Sequence, residues 1–178
     1  MSTQPVDPQS PAPRSEAPRW LSSDERRLWL SLSAVMELLP AALDAQLQRD
    51  ADLTTTAYLT LAMLSEEPTR SLRMSELGAR SNASPSRISH VVSRLEKGGW
   101  VRRERSACDG RGQVAILTDE GLAKVVATAP GHVERVRQLV FDPLDADQLA
   151  AFGAVAKRLL DVLDPDAKYA ATALAREV

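Results

Sequence analysis

"NASPSRISHVVSRLEKGGWVRRERSACDGRGQVAILTDEG", residues 82–121, holds the most informative pattern in this chain. Ser84 has the hydroxyl of a helix N-cap, Pro85 suits the first helical position, and Gly98 suits the stop. At about 100° per residue, Ile88, Val91, Val92 and Leu95 share a sector about 100° wide, the width of an ordinary core-facing stripe. Ser86, His90, Ser93 and Lys97 lie opposite, with Arg87, Ser89 and Arg94 on the flanks and Glu96 as the one acid at the margin. A merely solvated face usually mixes Glu with Lys. Hydroxyls, an imidazole and cations instead offer donors to phosphates and base edges.

The flanks extend this helix into a unit. Upstream, "SLRMSELGARSN" predicts a short extended start at Ser71 to Arg73 and a helix near Met74 to Ser81. Asn82 to Ser84 then forms the turn of a helix-turn-helix, whose second helix enters a groove while the first crosses the backbone. Downstream, "WVRRER" and "QVAILT" are β-prone runs joined by "SACDGRG", a hairpin pattern. Arg102, Arg103, Arg105 and Arg111 lie along it, placed to follow a sugar-phosphate backbone.

The fold class that emerges is mainly α with a small β-hairpin: a winged helix-turn-helix lobe with N- and C-terminal dimerisation helices. Residues 1–20, rich in proline and serine, are expected to be a disordered arm. Residues 21–50 form a dimerisation helix, opened by a Ser22/Glu25 capping box and kinked or broken near Pro40. Residues 51–120 hold the lobe, including a helix from Thr55 to Ser65. Residues 121–178 supply C-terminal dimerisation helices. Thr118 is expected to cap a helix from Asp119 to about Val140, bent or split at Pro130-Gly131. "LDADQLAAFGAVAKRLLDVL" follows as a long amphipathic helix ended by Pro165, with a last helical piece from Asp166 to Arg176.

Composition limits the function. At 178 residues with 44% apolar content, the chain can build one domain with a real core. Its net charge of −2 conceals a contrast: residues 70–111 hold ten basic and four acidic residues, an excess of six, so the remainder carries −8. The lack of an uninterrupted apolar run predicts no membrane span, and the N-terminus lacks a secretory h-region. Cys108, the only cysteine, excludes an intrachain disulfide and suits a reducing cytoplasm.

No catalytic constellation appears. "DGRG" lacks the phosphate-loop pattern, and no serine, histidine and acid are spaced as nucleophile and base. His90, His132 and Cys108 lack close metal spacing, so neither a metal nor a cofactor is predicted.

The stretches "SRLEKGGWVRR" and "DGRGQVAILTDEG" resemble the MarR (multiple antibiotic resistance regulator) family of bacterial transcription regulators. Asp109, Arg111, Leu117, Thr118 and Gly121 match that family's wing signature. The resemblance covers roughly residues 25 to 165. It implies a winged-helix homodimer on a near-palindromic site in double-stranded DNA, acting as a repressor relieved by a phenolic or drug-like small molecule. It also implies that Arg111 enters a minor groove, oriented by Asp109. The expected DNA contacts are Ser84, Ser86, Arg87, Ser89, His90, Arg94 and Lys97 on the helix, and Arg102, Arg103, Arg105, Asp109 and Arg111 on the wing. His90 stands where an arginine is frequent in the family, so a bidentate guanine contact is lost there.

Trp29, Met36 and Tyr58 are the candidate effector pocket; for Trp29 and Trp20, packing at a dimer interface is the competing reading. Two functional alternatives stand beside the regulator. One is a winged helix used only for protein contacts. The other is a redox-responsive regulator using Cys108, although redox sensors of this family usually carry the key cysteine near the first helix, which has none here.

Overall fold

The computed structural model describes residues 18–105 and 112–165. The chain divides into two compact units between Met36 and Glu37, inside helix α1 (Ser23–Ala51). In the first unit, the predicted capping box is present. The Ser22 N–H donates to Glu25 Oε2 at 2.7 Å, and the Glu25 N–H donates to Ser22 Oγ at 3.2 Å. Leu28, Trp29, Leu30, Val35 and Met36 are exposed.

The second unit contains α2 (Thr55–Glu66), β1 (Ser71–Arg73), α3 (Met74–Arg80), α4 (Pro85–Lys97), β2 (Val101–Arg105), β3 (Gln113–Leu117), α5 (Asp119–Val136) and α6 (Ala146–Leu163). Leu47, Leu61, Leu64, Leu77, Val92 and Ala115 are fully buried, and Ile88, Leu95, Val101 and Leu117 close the core around them. The predicted core stripe of α4 is therefore the one that is buried. The wing is more than a hairpin. β1 joins it to make a three-stranded antiparallel sheet of order β1-β3-β2, with Leu72 opposite Ala115 and Val101 opposite Leu117.

Neither helix is broken at its proline. α1 runs unbroken through Pro40, and α5 runs unbroken through Pro130, ending in a π-helical turn at Arg137–Phe141. Each proline removes one N–H, orphaning the carbonyl four residues earlier, at Met36 and Val126. All four residues are exposed, so the orphaned carbonyl lies on the water side and the rest of each ladder survives. The expected helix at 166–176, the N-terminal arm to residue 17 and the hairpin tip at 106–111 lie outside the described residues.

α6 begins with a second capping box: the Gln148 N–H donates to Asp145 Oδ1 at 2.9 Å, and the Asp145 N–H donates to Gln148 Oε1 at 3.0 Å. Phe152, Val155, Leu159 and Val162 recur at helical spacing along it and are all exposed. No unbroken apolar run exists, yet α1 averages a mean hydropathy of 1.4 over 18 residues and is long enough to cross a bilayer. Glu37 and Asp44 interrupt it. A carboxylate at a bilayer centre costs about 3 kcal/mol, which weighs against a span.

Helices α1, α2 and α5 meet at a buried polar junction. The His132 ring lies 4.7 Å from that of Tyr58, and its Nδ1 sits 3.3 Å from Gln46 Oε1. Gln46 Nε2 in turn donates to Asp50 Oδ2 at 3.0 Å. Burial pushes the His132 pKa below its ordinary value of 6.5. The unfolded chain therefore binds a proton more readily at this residue than the folded one does. The contribution of His132 to stability is complete above about pH 6.5, the unfolded value, and declines as pH falls toward the lower folded value. Thermal melting from pH 8 to pH 5 is expected to show a steeper loss in the wild type than in His132→Gln; parallel curves would refute it.

Candidate nucleic-acid interface

α4 is built as its sequence dictates. Ser84 Oγ accepts from the Arg87 N–H at 3.3 Å and lies 3.1 Å from Ser86 Oγ, while Pro85 opens the first turn. Asn82 takes the tight turn before it with φ at 46°, a left-handed conformation that asparagine tolerates. Gly98 caps the far end, and Gly99 turns the chain away at φ 76°. Ser84, Ser86, Arg87, Ser89, His90, Arg94 and Lys97 are all exposed, along one side of a helix whose other side is core. Ser84 thus has a structural task at the cap as well as a place at the surface.

The predicted wing residues separate into groups. Val101, opposite Leu117, faces the core, so by the two-residue period of a strand Arg103 shares its face and Arg102 and Glu104 take the other. Arg102 pairs with Glu104. Arg103 is half-buried against the last turn of α4, where its guanidinium and its backbone N–H both reach Glu96. Arg105 is exposed. Asp109, Arg111 and Cys108 lie outside the described residues.

Other cations of the basic middle also brace the lobe. Arg80 bonds Glu67 at 2.8 Å and pairs with Glu76. Arg70 bonds Asp119 at 2.9 Å, tying β1 to the start of α5. Among the described residues, no group of three His, Cys, Asp or Glu side chains is arranged to hold a metal.

Sequence reasoning missed the joint behind the wing. Thr118 Oγ1 accepts from the Gly121 N–H at 3.0 Å, capping α5 as predicted. The same hydroxyl donates to the Gly99 carbonyl at 2.8 Å, and the Thr118 N–H donates to the Trp100 carbonyl at 3.1 Å. A Cβ on Gly121 would collide with that Trp100 carbonyl. The signature Leu117, Thr118 and Gly121 thus closes the first turn of α5 onto the exit of α4. Lys124 adds its ammonium over the Trp100 ring, 5.1 Å from the centroid.

The three candidate pocket residues have different settings. Trp29 and Met36 are each about half exposed on α1 in the first unit, and Trp20 is more exposed still. Tyr58 is 6% exposed in the core of the second unit, leaving little surface for a ligand.

Comparison with known proteins points one way. A family model described as MarR family matches residues 51–112. The chain is 32% identical over 114 residues to the HTH-type transcriptional repressor Mb2911 of Mycobacterium bovis, covering 64% of this chain and 77% of that protein. The matched stretches span between 63% and 77% of the lengths of the curated relatives. Among solved structures, it is similar to Sco3205, a MarR family transcriptional regulator from Streptomyces coelicolor determined in complex with DNA. That match has a TM-score of 0.80 and 47% identity, covering 85% of this chain and 94% of that one. PcaV, a transcriptional regulator of the same organism determined with its natural ligand, matches at TM-score 0.61 and 29% identity, over 84% of this chain and all of that one.

Proposed function

The chain belongs to the MarR family of transcriptional regulators, a family of regulators rather than enzymes, and on that premise we propose that it is a homodimeric repressor of a near-palindromic DNA operator. The observation that carries this reading is the exposed face of α4, where Ser86, Arg87, Ser89, His90, Arg94 and Lys97 stand together above a fully apolar underside. Those side chains donate to base edges and phosphates, and Arg102, Arg105 and the tip residues Asp109 and Arg111 extend the contact into the flanking minor groove.

Dimerisation uses the exposed apolar side chains of α1 and α6, among them Leu28, Trp29 and Val35 on the first and Phe152, Val155 and Leu159 on the second. Two recognition helices then enter major grooves about 10 bp apart. A small-molecule effector, phenolic or drug-like, relieves repression by preferring the spacing that does not fit DNA. An open cavity of about 920 Å³ supports this part. It lies between the lobe and α6, with Met74, Ala83 and Ile88 on one side and Leu160 and Leu163 on the other. The ligand-bound PcaV structure supports it by analogy.

The decisive experiment is a gel-shift titration against salt, using a duplex recovered from a random pool. Affinity is expected to fall with a log–log slope of about −0.9 per neutralised phosphate. A flat response would reject DNA binding in favour of a protein-interaction module.

A further inference from the structure

We propose that Glu96 and Arg103 form a positioning clamp that fixes the wing on the recognition helix, so that Arg103 acts through Glu96 and not on a phosphate. The proposal rests on the DNA-binding reading above. Both carboxylate oxygens of Glu96 are engaged by one residue. Oε1 accepts the Arg103 backbone N–H at 3.2 Å, and Oε2 accepts Nε at 3.0 Å and Nη2 at 2.7 Å. An ordinary surface ion pair holds a side chain; this one also holds the strand.

The strand needs holding. β2 is an edge of the sheet, paired with β3 alone. Its outward amides have no strand to bond, and Glu96 supplies an acceptor where a fourth strand would lie. Strand parity turns Arg103 toward α4, beside buried Val101, while the neighbouring Arg102 and Glu104 face away. Arg103 is 25% exposed and Glu96 37%, so water screens the pair only in part.

The position of Glu96 is otherwise unfavourable. An acid in the last turn of a helix opposes the macrodipole, and here it stands on a lobe meant to approach phosphates. Two donors on Arg103 and its backbone N–H offset both costs, and the Arg103 hydrogen bond holds the Glu96 carboxyl below its usual range, keeping it ionised. The clamp also explains why Arg103, in a basic wing, has its charge neutralised from the recognition helix. It sets the angle at which Arg105 leaves the helix.

The test uses the full chain and the selected duplex, with Glu96→Gln, Arg103→Ala and the double variant. Glu96→Gln is expected to weaken DNA binding roughly tenfold, although it removes a negative charge from the lobe. Arg103→Ala should lose about as much, and the double variant no more than either single. All three should keep the wild-type salt slope. Glu96→Gln binding as well as or better than the wild type would overturn the clamp. So would an Arg103→Ala slope shallower by about 0.9, the signature of a lost phosphate contact.

Arg103→Lys offers a second route, since it keeps the cation and loses the two-point grip. The clamp predicts loss of affinity for this variant, and a phosphate contact predicts retention. Amide hydrogen exchange in the DNA-free protein separates this proposal from the DNA reading. Faster exchange at the Arg103 N–H in Glu96→Gln supports the clamp even if no duplex is bound, and unchanged exchange overturns it.

Discussion

Gly121→Ala is expected to destabilise the second unit by about 3 kcal/mol, against the direction that helix propensity alone would give. Alanine is the better helix former by about 1 kcal/mol, and Gly121 lies in the first turn of α5. The new methyl group, however, would stand against the Trp100 carbonyl oxygen, 3.0 Å from the carbon behind it and 2.7 Å from Leu117 Cδ1. Leu117 can rotate; the backbone of Trp100 cannot move without pulling on Thr118, whose N–H bonds that same carbonyl. Overpacking of this kind typically costs about 1–3 kcal/mol or more, and a rigid neighbour puts it at the upper end. Urea unfolding of the variant measures the difference directly. A midpoint equal to or above that of the wild type would mean that α5 does not start where it is described.

Leu95→Ala is the second large effect. Leu95 is 1% exposed and faces the core from α4, with Ile88 and Val92 beside it. Truncating a buried leucine removes its transfer energy and leaves a cavity, about 2–5 kcal/mol together. The side chain points away from the exposed face of α4, so the loss should fall on folding alone. Affinity for DNA, corrected for the folded fraction, is expected to stay near wild type at low temperature. A drop of under 1 kcal/mol in stability would contradict the packing of α4, and a specific loss of DNA affinity in fully folded protein would mean that the helix has shifted on its seat.

Much of this architecture was legible because local signals agreed with each other. Ser84, Pro85 and Gly98 bracketed α4 to the residue, and Thr118 announced α5, because caps are decided by neighbours three residues away. The prolines were less decisive for the same reason: they did not tell a kink from a break. Their local cost is real, but whether a helix continues depends on which side the orphaned carbonyl faces, and exposure belongs to the tertiary structure.

The site was read less evenly. The exposed face of α4 followed from helical period alone. The pairing of Arg103 with Glu96 did not, although a signal existed: Arg103 stands two residues after Val101 in a strand, and Glu96 lies in the last turn of the helix before it. Counting charges had grouped it with Arg102 and Arg105; counting strand parity separates it from Arg102. The burial of Tyr58 was not legible, because the ring packed against it, His132, lies far along the chain. The third strand showed only as a short extended start, since its pairing with β3 joins segments more than 40 residues apart.

The joint at Gly99, Trp100, Thr118 and Gly121 gives α5 the mechanics of a lever with its fulcrum at the exit of α4. Eighteen residues of helix extend about 27 Å from that pivot. A tilt of about 5° at the fulcrum therefore sweeps the distal end through about 2 Å, and the same ratio works in reverse. Whatever displaces the far arm by the width of a single atom delivers only a few degrees of rotation to α4, with the force multiplied rather than the distance.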